Sequence, residues 1–250
     1  MRVDFPEAGG EVSFELHEVD PSLDATLEQC FWQRDGGVWH RPYPRSAPHL
    51  DTVMDRFRRH AEEMFQQLAY RRPVPWSDAL IAFADRARDA GIGWWLTGSV
   101  AACVRGIPLD PHDVDIMIDH ADVEAVANLF ADVTIEPFVD TGGWLTRDFG
   151  VLFLHARIDV ASDPSERLDD PEPADCGPYA RSHLESVHYR GHDIQVPPLH
   201  LQVAVNRRRG RTARADLLQS HLSARLAAPA SAEWAPIGEA GHPWHSAGDN

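Results

Sequence analysis

The run from Asp113 to Ile118, Asp-Val-Asp-Ile-Met-Ile, constrains the fold of this chain more than any other feature. Alternate residues of a β-strand point to opposite faces, so Asp113 and Asp115 project together. A solvent-exposed edge strand would also explain the pair, but Val114 and Ile116 indicate a strand packed into a core. Two carboxylates held side by side there repel each other unless a cation or a proton lies between them. The run therefore predicts a buried strand that carries a cation site.

Two other segments supply groups suited to the same site. Gly98 and Ser99 follow an apolar run, and a glycine turn into a helix exposes backbone N–H groups that can hold phosphate. Taken alone, a Gly-Ser pair is equally typical of an ordinary loop. Further along the chain, Asp159 is bracketed by apolar residues and reaches the cation site if its strand lies beside the first one. The competing interpretation of Asp159 is an ion pair with Arg157 at a strand end.

Strand and helix patterns alternate through the middle of the chain. Apolar runs at 92–99, 113–118 and 149–162 predict strands, and the last is long enough for one or two of them. Helical patterns follow at 99–105, 120–130 and 199–226. This order is typical of an α/β (α+β) fold, in which a mixed β-sheet is flanked by helices.

The flanks of this core have a different composition. Residues 1–72 predict a small β/α appendage, with an antiparallel element followed by an amphipathic helix over 50–70. In this appendage Trp32, Trp39 and Tyr43 either wall an acceptor pocket or pack in a core. The core itself, with its C-terminal helices, is expected at 76–226. Residues 227–250 are rich in Ala, Pro, Gly, Ser and His, and we expect a mobile tail.

Composition limits the partners of the chain. The formal net charge is −16, and all 23 basic residues are arginine. Proteins that bind nucleic acid usually present a basic face, so a small-molecule substrate is favoured over nucleic acid, which stays open. Any phosphate clamp must use guanidinium groups, backbone amides or a metal. The arginine cluster between Arg207 and Arg214 either touches phosphate or forms a solvated helix face. Arg105 similarly either reaches phosphate as a cofactor-binding residue or caps its turn.

The remaining bulk features predict a cytoplasmic protein. The three cysteines are far apart and show no zinc-ligand spacing, which indicates a reduced intracellular chain. We expect no signal peptide and no association with a membrane, because no basic start precedes an apolar run and no apolar run approaches the length of a membrane span.

The combination of Gly98-Ser99, the Asp113/Asp115 pair and the later Asp159 resembles the nucleotidyltransferase superfamily that includes DNA polymerase β. The resemblance is greatest to the small bacterial aminoglycoside and lincosamide nucleotidyltransferases, and it extends over about residues 77–222. It implies transfer of a nucleoside monophosphate, AMP from ATP, to a hydroxyl of a small-molecule acceptor.

The resemblance also implies a role for each residue of the motif. Asp113, Asp115 and Asp159 would be catalytic and would bind two Mg²⁺ ions, and Asp159 would take the acceptor's proton. Gly98 and Ser99 would hold the β- and γ-phosphates of the nucleoside triphosphate.

Two alternative functions stay open at this point. The same fold and chemistry occur in toxin-type nucleotidyltransferases that modify RNA or protein. A non-catalytic nucleotide-binding or partner-binding module is the other alternative, although such a module has little need for three costly carboxylates. The sequence leaves the base, the acceptor, the role of residues 1–72 and the oligomeric state open.

Overall fold

A computed structural model describes residues 1–143 and 145–227 of the chain. The predicted tail, apart from Ala227, lies outside the described residues. The N-terminal part forms a small antiparallel sheet with strand order β1-β3-β5-β4, and β2 pairs with β3. The elements of this part are β1 (Arg2–Asp4), β2 (Glu7–Ala8), β3 (Glu11–His17), a 3₁₀ turn (Pro21–Leu23), α1 (Asp24–Gln29), β4 (Gln33–Asp35), β5 (Val38–Pro44) and α2 (Leu50–Leu68). The antiparallel element and the amphipathic helix expected here are both present.

A second sheet of five strands occupies the centre, with the order β6-β7-β10-β9-β8. Its strands are β6 (Trp94–Thr97), β7 (Val114–Ile118), β8 (Thr134–Asp140), β9 (Thr146–Leu154) and β10 (Ala156–Pro164). Strands β7 and β10 are parallel, whereas the other neighbours are antiparallel, so the sheet is mixed. The long apolar run at 149–162 is two strands, β9 and β10, which turn at His155 with φ 63°.

Helices cover one face of the central sheet. They are α3 (Trp76–Ala90), α4 (Gly98–Cys103) and α5 (Val123–Leu129), the last preceded by a 3₁₀ turn (His120–Asp122). Leu80 and Phe83 of α3 pack with Val114, Ile116 and Ile158 in one continuous apolar core. The apolar residues that alternate with the acids in β7 and β10 are therefore the ones that face these helices.

The N-terminal part packs against the central sheet rather than standing apart from it. Phe57 and Phe65 of α2 belong to an apolar cluster that also contains Val12 and Tyr43 of the small sheet. The same cluster continues into the central sheet through Val151 of β9 and, with it, Ile135 and Phe153. The central sheet thus has α3 and α5 on one face and the N-terminal part on the other.

The C-terminal part completes the fold after β10. It contains a 3₁₀ turn (Glu166–Asp169), α6 (Pro178–Ser182), the hairpin β11 (Glu185–Tyr189) and β12 (His192–Val196), α7 (Leu199–Arg208) and α8 (Thr212–Ala227). The break between the last two helices falls at Gly210, with φ 68°. The predicted mixed α/β architecture with flanking helices is confirmed. Among the described residues, 1–143 and 145–227, no helix is long and apolar enough to cross a membrane.

Candidate active site

The parallel pairing of β7 with β10 brings the three predicted acids together. Asp115 and Asp159 are direct Cα partners in this pairing, so their side chains leave the same face of the sheet side by side. Asp113 immediately precedes β7. One carboxylate oxygen from each of these three residues lies within 4.8 Å of the other two. The strand of Asp159 therefore lies beside the strand of Asp115, as the prediction for Asp159 required.

The electrostatics of this triad favour a bound cation. Burial raises the pKa of Asp115 well above its ordinary value, and the charges of Asp113 and Asp159 raise it further. Burial also raises the pKa of Asp159 to about 6, although Arg157 opposes this rise. Carboxylates in this state are costly to ionise without a compensating positive charge. An oxygen-only donor set of this kind suits a hard divalent cation such as Mg²⁺.

Gly98 adopts a conformation that brings the backbone against the triad. Its φ is 65°, in the left-handed region that favours glycine, and it joins β6 directly to α4. A Cβ atom at this position would overlap the carboxylate of Asp115. The carbonyl of Gly98 accepts a hydrogen bond from the Gln202 side chain at 2.6 Å, so α7 holds this turn in place. Ser99 follows as a buried residue of α4.

Asp159 also makes the ion pair that was the competing interpretation of this residue. Arg157 Nε lies 2.6 Å from Asp159 Oδ1, and Arg157 Nη2 lies 3.2 Å from Oδ2. The two residues are two positions apart on β10 and share one face. The ion pair and the membership in the acidic triad therefore coexist at Asp159.

Asp175 is a fourth buried acid near the site that sequence reasoning missed. Its charge adds to the rise in the pKa of Asp115. Its own pKa is raised by burial, a rise that Arg209 and Arg214 oppose. Asp175 lies in a loop before α6, where no apolar alternation marks it, so the sequence carried no signal for it.

Arg214 of α8 is near enough to the triad for its charge to act on Asp113. Burial raises the pKa of Asp113, and the charges of Arg157 and Arg214 oppose that rise. Arg214 Nε is buried without a hydrogen-bond partner among the described residues. Elsewhere in the predicted cluster, Arg208 forms an exposed pair with Glu172. The cluster thus contains solvated residues together with Arg209 and Arg214, whose charges act on the buried acids Asp113 and Asp175.

Arg105 makes contacts of a structural kind. Its Nη2 atom donates to the Pro197 carbonyl at 2.6 Å and lies 3.0 Å from the Glu185 carboxylate. The side chain is 6% exposed, and the residue lines a cavity of about 250 Å³ together with Ile107 and Leu199. These contacts join the end of α4 to the C-terminal hairpin and do not cap the turn that contains Arg105. Its Nε and Nη1 atoms have no partner among the described residues, and the phosphate-binding role stays a prediction.

The aromatic residues of the N-terminal part lie in a core. Trp32, Trp39 and Tyr43 are 2–3% exposed and pack in the same apolar cluster as α2. Their position supports the packing interpretation rather than a pocket wall.

Comparison with known proteins agrees with the geometry of the site. Residues 79–161, about a third of the chain, match the family model of aminoglycoside-2''-adenylyltransferase. The matched segment contains Gly98, Ser99 and the complete triad. A structure from Thermotoga maritima, provisionally assigned as a nucleotidyltransferase, is 24% identical, with a TM-score of 0.43, over 59% of this chain and 92% of that one. No curated protein matches the chain.

The mixed sheet, the acidic triad beside a glycine turn and the family match define the class of protein as a nucleotidyltransferase. Within this class, the core of the chain is similar to that of the aminoglycoside adenylyltransferases. The predicted resemblance and the predicted enzyme class are both confirmed.

Proposed function

We propose that this nucleotidyltransferase depends on a divalent metal, Mg²⁺, and transfers AMP from ATP to a hydroxyl of a small-molecule acceptor. The observation that carries the proposal is the triad of Asp113, Asp115 and Asp159, whose oxygens lie within 4.8 Å of one another. The match of residues 79–161 to an adenylyltransferase model supports adenosine as the nucleoside.

Each residue of the site has a proposed task in this reaction. Asp113 and Asp115 would hold the metal ions, and Asp159 would share one of them and take the proton of the acceptor hydroxyl. Bound Mg²⁺ would neutralise charge on the triphosphate and lower the pKa of the attacking hydroxyl. The backbone at Gly98 and Ser99 would hold the β- and γ-phosphates, because the first N–H groups of a helix have no partner within it and Gly98 lies against Asp115.

Arg214 would supply the cationic contact to the triphosphate. The chain has no lysine, so arginine is the permanently charged side chain available for this role. Arg214 combines a buried Nε that has no partner within the described part of the chain with a charge that acts on Asp113. Buried guanidinium donors are rarely left unpaired, and a phosphate oxygen would satisfy this one.

We infer that the acceptor is cationic, with an amino sugar as the first candidate. The matched family model is named for an aminoglycoside acceptor, and the net charge of −16 favours a positively charged small molecule over an RNA.

The test is a transfer assay with purified protein, Mg²⁺ and each of the four α-labelled nucleoside triphosphates. The acceptor panel includes aminoglycosides, uncharged sugars, RNA and protein, and an Asp113→Asn/Asp115→Asn variant is the control. We expect ATP-dependent labelling of an amino sugar with release of pyrophosphate, and no labelling by the control. Labelling of RNA or protein alone would replace the acceptor, and failure to bind any triphosphate with Mg²⁺ or Mn²⁺ would overturn the proposal.

A further inference from the structure

Strand β5 of the N-terminal sheet places two polar side chains against the central sheet. Arg41 and Tyr43 are two positions apart on this strand. The Tyr43 hydroxyl donates a hydrogen bond to Glu136 Oε2 at 2.6 Å, and Arg41 Nη1 lies 3.0 Å from the same oxygen. Arg41 also donates to the backbone carbonyl of Cys30 at 3.0 Å. The N-terminal part thus holds Glu136 with one neutral and one cationic donor.

The second oxygen of Glu136 continues this chain of contacts to the active site. Glu136 Oε1 lies 3.6 Å from Arg157 Nη1. The opposite edge of the Arg157 guanidinium, Nε and Nη2, makes the two-pronged contact with Asp159 described above. One guanidinium therefore bridges a carboxylate held by the N-terminal part and a carboxylate of the triad.

Burying these polar and charged side chains lowers the stability of the fold relative to an apolar core of the same volume. The side chains of Glu136 and Arg157 are 1% and 4% exposed, and Tyr43 is 2% exposed. Tyr43 itself belongs to the apolar cluster of the N-terminal part, which also includes Phe14. Replacing buried ion pairs by apolar residues of similar volume is often neutral or stabilising. Packing alone therefore does not account for a row of polar groups that ends on a residue of the triad.

We propose that Arg41, Tyr43 and Glu136 are positioning residues that fix Arg157, and through it the Asp159 carboxylate, in the orientation needed to share a metal with Asp113 and Asp115. This inference rests on the proposed function and assigns a role to the N-terminal part. Because the Arg157 guanidinium contacts Glu136 as well as Asp159, its positive charge is divided between two carboxylates and offsets less of the negative charge that Asp159 presents to a cation. Arg41 and Tyr43 hold one oxygen of Glu136, which leaves the other directed at Arg157.

The experiment compares Tyr43→Phe and Glu136→Gln with wild type in the full-length chain. Both variants retain the shape of the side chain. Tyr43→Phe removes the hydrogen bond to Glu136, and Glu136→Gln removes the negative charge that Arg41 and Arg157 contact. We measure Mn²⁺ affinity by electron paramagnetic resonance without nucleotide, together with kcat and KM for ATP. Partners of metal ligands typically contribute 10–100-fold to metal affinity or activity. We expect Mn²⁺ affinity and kcat to fall about 10-fold or more, while KM for ATP changes less than about threefold, since Gly98 and Ser99 are untouched.

Two further variants separate positioning from general stability. Glu136→Asp retains the charge and should recover part of the lost Mn²⁺ affinity. Arg45→Ala removes an exposed arginine just after β5 that pairs with Glu7 and Asp51, and it should leave Mn²⁺ affinity and kcat at wild-type values. If Glu136→Gln fails to fold, Tyr43→Phe, which removes a single oxygen, decides the question.

The possible outcomes distinguish this inference from the proposed function. Wild type that binds neither Mn²⁺ nor ATP would overturn the proposed function and the inference that rests on it. Wild type that binds both, with Tyr43→Phe and Glu136→Gln indistinguishable from it in Mn²⁺ affinity and kcat, would overturn the positioning role alone.

Discussion

The carboxylate of Asp115 fills the space that a side chain at Gly98 would occupy. Asp115 lies on β7, and its Cα partner on the adjacent antiparallel strand β6 is Thr97, the residue directly before Gly98. The turn that would hold phosphate and the acid that would hold metal are thus in direct contact. A change at Gly98 must therefore move one of them.

Gly98→Ala is expected to abolish transfer, and Gly91→Ala provides the matched control. Both glycines have a left-handed φ, of 65° and 71°, so each substitution costs about 1–2 kcal/mol of backbone strain. At Gly91 no atom lies within 4 Å of the added Cβ, whereas at Gly98 the Cβ displaces Asp115. Thermal unfolding and transfer rates check this prediction. Equal activity in the two variants would show that the contact between Gly98 and Asp115 does not matter.

Asp115→Asn is expected to stabilise the metal-free protein and to remove its response to Mg²⁺. Burial and the charges of Asp113 and Asp159 raise the pKa of Asp115 well above 3.8. A carboxyl whose folded pKa is raised destabilises the fold as pH rises from the unfolded pKa through the folded pKa, because ionisation is then required. The variant should therefore melt a few °C above wild type at pH 7.5 and show a smaller difference near pH 4.

Melting curves with and without Mg²⁺ at both pH values measure this effect. Mg²⁺ should raise the melting temperature of wild type, since a ligand that binds only the folded state stabilises it. A variant that melts below wild type at pH 7.5 without metal would contradict the repulsion between these carboxylates.

Arg214→Ala is expected to weaken ATP binding about 10–100-fold while AMP binding changes little. The loss corresponds to one or two charge-assisted hydrogen bonds to the β- or γ-phosphate. Arg211→Ala is the control, because Arg211 is an exposed arginine close to Arg214. Burial lowers the pKa of Arg214, and the charge of Arg211 lowers it further. Calorimetric titration with ATP and AMP distinguishes the two. An equal loss of ATP affinity in both variants would indicate that the summed charge of the arginine cluster attracts ATP, and that Arg214 makes no specific contact with it.

Arg105→Ala is expected to destabilise the fold by about 1–3 kcal/mol and to leave ATP affinity within about twofold. The substitution leaves the Pro197 carbonyl without its donor in a buried place. Arg225→Ala removes the other partner of Glu185 at an exposed position, and its effect should stay within about 0.5 kcal/mol. Urea denaturation and ATP titration test both variants. A large loss of ATP affinity with intact stability would support the phosphate-binding role of Arg105.

The part of the site that lies on regular strands was predictable from the sequence. Side chains alternate between the two faces of β7 and β10. This rule puts Asp115 and Asp159 on one face and Ile116 and Ile158 on the other. The same rule places Arg157 beside Asp159, so the ion pair was also foreseeable. The sequence did not show that β7 and β10 are neighbours, so this had to be assumed. The structure shows that they pair in parallel.

The contacts that depend on the docking of distant segments were not predictable in this way. Glu136 meets Tyr43 across 93 positions of the chain, and no local pattern links the two. Asp175 lies in a loop without periodicity. Arg214 comes near enough to act on Asp113 because the chain turns at Gly210 between α7 and α8. These residues become partners through tertiary packing, which side-chain spacing does not encode.

The register of β10 links catalytic competence to the integrity of the core. A slip of one residue would turn Asp159 toward the apolar helices and bring Ile158 or Val160 to the triad. Such a slip would lose the apolar core on one face and the proposed metal ligand on the other in a single event. Insertions or deletions within β10 should therefore yield unfolded chains rather than folded inactive ones, whereas the loop between β8 and β9 can change length without altering which way Asp159 faces.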